Sequence, residues 1–176
     1  MPPSARGRFL SSFIGLAALS SFFSRARASI LLISSLALPS AAQQTINWTG
    51  GCNNNWNNTA CWTPAQVPTA IDTVTINLNG ANVWVSASSP SITFASMTLG
   101  SETGLNAVSL TIATTAVTGG WLKINKSAGL TSNTTSQHRL GNLVMLSGSS
   151  ITHAENGAAL AYALNLSVLN DFDLQA

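Results

Sequence analysis

Apolar residues return along this chain at a nearly fixed interval, and no other feature restricts the possible folds so strongly. Ile76, Leu99, Leu122, Val144 and Leu166 follow one another at steps of 23, 23, 22 and 22. Val85, Val108, Leu130, Thr152 and Leu174 step by 23, 22, 22 and 22, with Thr152 as a polar interruption. Phe94, Val117, Leu140 and Tyr162 step by 23, 23 and 22. The three series run about nine residues apart, so one turn of chain carries three strands and each turn lies on the one before. A single turn cannot bury its inner face and needs neighbours above and below.

Within each interval the apolar residues alternate, as in Val74-Ile76-Leu78, Val108-Leu110-Ile112 and Leu122-Ile124. Period two with β-branched residues means strands. Gly, Ser, Asn and Thr between them suit tight turns. Residues 158–169 are rich in Ala and Leu, but the alternation Leu164-x-Leu166-x-Val168 favours a strand there. The expected class is all-β: a right-handed parallel β-helix of about four to five rungs. A β-sandwich is the alternative, since its strands also recur every 8–12 residues or so. A leucine-rich repeat has a similar period, but no Asn recurs at a fixed place and no helical half is present.

The first 42 residues read as a signal peptide. Arg25 and Arg27 flank the apolar run Ser29 to Leu38, and Ser40-Ala41-Ala42 supplies the small residues of a cleavage site after Ala42. A retained anchor is the rival, and both apolar runs of the leader, Phe9 to Phe23 and Ser29 to Leu38, are short for a helix crossing ~30 Å of hydrocarbon. Residues 43–72 then form a cap, and 73–176 the rungs. The end in the alternating Asn170 to Ala176 suggests a fragment of a longer protein. From Gln43 onward three bases (Lys123, Lys126, Arg139) stand against five acids, a net of −2. Such a balance gives no basic patch for a nucleic-acid backbone, and no membrane span is expected in the mature part.

Cys52 and Cys61 are the only cysteines. In an oxidising compartment they are expected to pair as a disulfide. Half of a metal site is the rival, with no nearby His or further Cys to complete it. Trp48, Trp56 and Trp62 surround them. Indoles suit the sealing of an open β-helix end, and the same three rings are the candidates for stacking on a sugar. Gly50-Gly51 and the Asn run allow sharp turns, Pro64 and Pro68 keep the chain extended, and Asp72 can accept from backbone N–H groups where the strands begin. Five Asn-x-Ser/Thr sequons (Asn47, Asn57, Asn125, Asn133, Asn165) are read as chance in a chain so rich in these residues.

The order W-x-G-G, W, W-x-P, V-P-x-x-x-D-x-V-x-I is carried here by Trp48, Gly50, Gly51, Trp56, Trp62, Pro64, Val67, Pro68, Asp72, Val74 and Ile76. It resembles the opening of large exported bacterial β-helix proteins, the autotransporter-type passengers and adhesin-like surface proteins. Leu143 to His153 is similar to their repeat rungs. The chain departs from that pattern at Cys61, where the family often has Asn, and at Gln66, where it often has Gly. The resemblance implies a secreted or outer-cell-surface location and a rod-like shape. It implies no reaction, because such families share architecture more than activity.

Candidate chemistry is sparse. His153 with Glu155 and Asp171 with Asp173 are spaced to share a strand face, where carboxylates bind Ca²⁺ or assist acid–base work. Solvated positions are the plainer reading of both pairs. His138 and Arg139 with Lys123 and Lys126 offer a weak groove for anionic sugars. No catalytic residue, resident cofactor or metal is expected in this segment. The expected role is structural or adhesive, with surface polysaccharide or other cell-surface proteins as partners. The alternatives are a carbohydrate-active enzyme, lyase-like or glycosidase-like, and a carbohydrate-binding module.

Overall fold

The computed structural model describes residues 41–85, 91–113, 115–155 and 163–175. The leader and Tyr162 lie outside them, apart from Ala41 and Ala42. Parallel coils stack into a β-solenoid of about five turns. Twelve strands are described: β1 (Thr45–Trp48), β2 (Trp62–Thr63), β3 (Thr73–Ile76), β4 (Ala81–Val85), β5 (Ile92–Leu99), β6 (Val108–Ile112), β7 (Val117–Ile124), β8 (Ala128–Ser132), β9 (His138–Leu146), β10 (Ser150–His153), β11 (Leu166–Val168) and β12 (Phe172–Gln175). One sheet runs β11-β9-β7-β5-β3-β1-β2 with β12 also on β9, and a second runs β10-β8-β6-β4. Every pairing is parallel except β1 with β2, which excludes the β-sandwich.

The long strands β5, β7 and β9 each turn a corner, so every full coil has three arms. In β5 the buried positions change phase between Phe94 and Met97, and the pairing of β5 with β7 skips Ala95 opposite Gly120. Ile92–Phe94 therefore closes one coil as its third arm, and Ser96–Leu99 opens the next as its first. Strands β4, β6, β8 and β10 are the second arms. The corner is tight because Gly120 lies against the carbonyl of Ala95, and Gly141 against that of Gly120. A Cβ at either position would strike backbone, so only Gly is accommodated.

Inward columns of apolar side chains form the core. Ile46, Val74, Met97, Leu122 and Leu143 stack coil by coil in the first arm, and Val83, Leu110, Leu130 and Ile151 in the second. Ile46, Val74, Met97, Leu122, Leu143, Val83 and Leu110 are at most 1% exposed. The backbone groups of each coil meanwhile pair with those of the next.

The register differs in detail from a fixed step. Ile76 stacks on Leu99 as expected, but Leu99 pairs with Ile124, and Leu122 with Met97. Steps along the first arm are 23 (Thr73 to Ser96), 25 (Ser96 to Trp121), 21 (Trp121 to Asn142) and 29 (Leu143 to Phe172). Turns of unequal length cause this: eight residues separate Leu99 from Val108, and three separate Ile124 from Ala128. Val144 pairs with Lys123 in an outward column while Leu143 faces in. Thr152 also faces out, opposite Thr131, with Ile151 taking the inner position. Residues Leu166–Val168 are a strand, in line with their alternation.

The amino-terminal stretch is itself a first, irregular coil. Strand β1 lies parallel on β3, and Asn55 bridges to Trp84 of β4. The Asn run shapes its turns: Asn53 Oδ1 accepts from Asn55 N–H at 3.3 Å, Asn55 Oδ1 from Asn57 N–H at 3.0 Å, and Asn58 Oδ1 from Ala60 N–H at 3.1 Å. Such side-chain-to-backbone bonds replace a ladder where the chain turns. Asp72 does what its position suggests. Its carboxylate accepts from Gln44 N–H (3.1 Å), Thr69 N–H (2.8 Å) and Thr69 Oγ1 (2.7 Å).

Candidate functional site

The three cap indoles face one another. Trp48 and Trp62 meet edge-to-face with centroids 4.8 Å apart, and Trp56 and Trp62 do so at 4.9 Å. Trp62 Nε1 donates to the carbonyl of Trp56 at 2.8 Å. All three rings are at most 5% exposed. Their faces are taken up by the packing that closes the solenoid, so they offer no platform to a sugar. Cys52 and Cys61 form the expected disulfide beside them.

The polar candidates do not converge. His153 ends the second arm of its coil and Glu155 follows it, both exposed. Asp171 precedes β12 and Asp173 lies on it, in the first arm. Asp173 shares an outward column with Lys123, but Val144 of the intervening coil separates them. Lys123 instead pairs with Glu102 and holds that carboxyl below its ordinary pKa. Among the described residues no three of His, Cys, Asp and Glu come together as a metal-binding set.

His138 is not part of an anionic-sugar groove. It points into the solenoid, 2% exposed, while its neighbour Arg139 points out. Its Nδ1 accepts from Val117 N–H at 3.2 Å, which leaves Nε2 as the protonated nitrogen. Nε2 lies 2.9 Å from Ser132 Oγ, and Ser132 Oγ donates to the carbonyl of Thr134 at 3.2 Å. Burial holds the imidazole pKa below its ordinary value. Asn125 is buried as well, and its Nδ2 donates to the Gly100 carbonyl at 2.9 Å, so its sequon is closed to a glycan in the folded chain.

No family model matches the chain, and no curated protein or solved structure does.

What the solenoid does present is a set of regular outward faces with two exposed indoles, Trp84 (43% exposed) and Trp121 (49%). Trp121 stands on the first-arm face in the column Thr73–Ser96–Trp121–Asn142, beside Lys123. Trp84 stands on the second-arm face, at the start of the column Trp84–Thr111–Thr131–Thr152. A second outward column of that face runs Asn82–Ser109–Gly129–Ser150. Parity in the sequence contains both indoles: Val83 and Val85 bracket Trp84, and Leu122 and Ile124 alternate with Trp121 and Lys123. Once the apolar partners face in, both rings must face out.

Proposed function

We propose that this protein is an exported structural and adhesive solenoid, acting outside the cell or at its outer surface, and that this segment is not catalytic. The observation that carries the reading is the outer surface itself. Its second-arm face is a set of extended rows of Thr, Ser and Asn with one exposed indole, Trp84, built on a rigid stack of coils. A large ring left half in water on such a scaffold is suited to contact with a partner. The resemblance of the opening stretch to exported β-helix proteins supports the same location. Surface polysaccharides and other surface proteins are the partners proposed.

An acid–base reaction on sugars needs carboxylates placed on either side of one bond. The separated positions of Glu155, Asp171 and Asp173 give no such pair. The test has two arms. Beads coated with the protein are expected to adhere to cells or to immobilised surface polysaccharide, above the level of beads coated with an inert protein. The protein is expected to release no reducing or unsaturated ends from polysaccharides. Turnover abolished by Glu155→Gln or Asp171→Asn would overturn the non-catalytic reading.

A further inference from the structure

The second-arm face carries the most regular chemistry on the molecule. Its outward positions on β4, β6, β8 and β10 hold only Asn, Trp, Ser, Thr and Gly. None of these outward side chains is ionisable; His153, the exposed last residue of β10, stands at the inward parity opposite Ser132. Thr111, Thr131 and Thr152 follow Trp84 at one position per coil. Adjacent coils are ~4.8 Å apart, so the hydroxyls and methyls repeat at about the length of one sugar ring. Two contacts fix the ladders: Ser109 Oγ donates to Asn82 Oδ1 at 3.0 Å, and the Thr131 and Thr152 hydroxyls lie 3.4 Å apart.

Trp84 is held firmly at the end of this strip. Its N–H donates to the Asn54 carbonyl at 2.7 Å, and its carbonyl accepts from Trp56 N–H at 3.0 Å. The disulfide-bonded cap thus anchors the backbone while the indole stays exposed. Inward, the same strands are fixed by Val83, Leu110 and Leu130, each at most 5% exposed. A face so built loses little freedom on binding, which lowers the cost of association.

We infer that this face is a binding strip for a neutral, linear polysaccharide lying along the solenoid axis, with one sugar ring on Trp84 and its hydroxyls on the Thr ladder. The indole supplies a flat apolar surface for the C–H face of a ring. Threonine offers a hydroxyl that both donates and accepts, and a methyl for the C–H edges between sugar hydroxyls. The absence of charge selects against acidic glycans, which would lose solvation without gaining a counterion. Trp121 serves as the internal control, since it lies on another arm beside Lys123.

The inference rests on the adhesive reading and sharpens it. Its test is retention of the full chain on cellulose and in gels containing konjac glucomannan, with alginate as the acidic comparison. Retention by a neutral glycan is expected to exceed that by alginate and to persist in 0.5 M salt, a concentration at which exposed charges are screened within roughly 5 Å. Trp84→Ala and Thr131→Glu are each expected to weaken it about tenfold, roughly 1.4 kcal/mol, and Trp121→Ala to leave it unchanged. Both altered side chains point outward, and an unchanged melting temperature verifies that the fold is kept. Preference for alginate, dependence on Trp121 rather than Trp84, or no retention by either neutral glycan would each overturn the inference. If coated beads still adhere to cells in those cases, the broader adhesive reading stands; if they do not, it falls too.

Discussion

His138 and Ser132 meet inside the solenoid, 2.9 Å apart, on the third and second arms of one coil. Around them the wall is apolar, formed by Val117, Leu122, Leu130, Leu140, Ile151, Leu164 and Leu166. A histidine here is neutral, because burial disfavours the charged ring and Nδ1 is already accepting a hydrogen bond from Val117 N–H. Protonating Nδ1 would break that bond and leave two donors facing each other.

Stability should therefore depend on pH through this ring. Its folded pKa lies below the unfolded value of 6.5. Above that value both states are neutral and stability is full. As pH falls below it, the unfolded chain takes up a proton that the folded ring resists, and stability declines until the lowered folded pKa is passed. Melting temperature is expected to fall between pH 7.5 and 5. In His138→Gln that decline should be much flatter, although the variant starts lower. An unchanged slope would show that the ring does not titrate as described.

Phe94 and Gly119 give a second prediction. They are opposite one another in adjacent coils, and the Phe94 ring occupies the place a Cβ at Gly119 would take. Leu140 follows in the next coil of the same column. Large, absent and large side chains thus share one level of the core. Gly119→Leu is expected to destabilise by about 1–3 kcal/mol through overpacking. Adding Phe94→Ala should return part of that loss, because the two changes share one space. Urea unfolding of both single variants and the double variant measures the coupling.

How far the sequence revealed this fold follows from where its signals are local. Alternation such as Val108-x-Leu110-x-Ile112 is a property of one strand, and it identified strands and their inner faces. Three apolar series nine residues apart implied three arms, and the Ile76–Leu99 contact fell in register. The other contacts slipped, Val85 pairing with Ile112 rather than Val108 and Phe94 with Gly119 rather than Val117, because register depends on turn length, which apolar spacing does not encode. The corner at Gly141-Asn142 shifts the phase, so Leu143 rather than Val144 faces in. The candidate site was less legible. Clustering drew attention to Trp48, Trp56 and Trp62, yet clustered indoles are the ones that can bury one another. Trp84 and Trp121 stood singly and drew no attention, although strand parity is the signal that could have marked them as exposed. His138 beside Arg139 looked like a basic pair, but neighbours on a strand point to opposite sides.

The disulfide supports a third prediction. Cys52 and Cys61 are nine positions apart, and Cys61 is fully buried beside Trp62. Closing so short a loop stabilises by about 2–3 kcal/mol on the chain-entropy account. The double variant Cys52→Ser, Cys61→Ala is expected to lose that amount in urea unfolding, and wild-type protein in dithiothreitol a similar one. The cap also holds the backbone of Trp84. Reduction should therefore increase hydrogen exchange at the Trp84 amide more than at Thr131, which lies two coils farther along the same column.

Asp72 sits where the irregular first coil meets the regular stack. Burial alone would raise its pKa, but hydrogen bonds from Thr69 Oγ1, Thr69 N–H and Gln44 N–H outweigh that and hold it below the ordinary 3.8. The carboxylate therefore stabilises the fold at pH values above 3.8, and the contribution is lost as pH falls through the lower folded value. Asp72→Asn keeps the shape but turns an NH₂ group toward one of the donors in either amide orientation. It is expected to cost about 1.5–3 kcal/mol at neutral pH, the range for a hydrogen bond to a charged group. The His138 decline begins near pH 6.5 and the Asp72 decline near 3.8, so a stability–pH curve should separate them. Asp72→Asn should remove the acidic limb and leave the upper one, and His138→Gln the reverse. Loss of both limbs in either variant would mean that neither limb belongs to one residue alone, and the assignment of each limb to a single residue would be wrong.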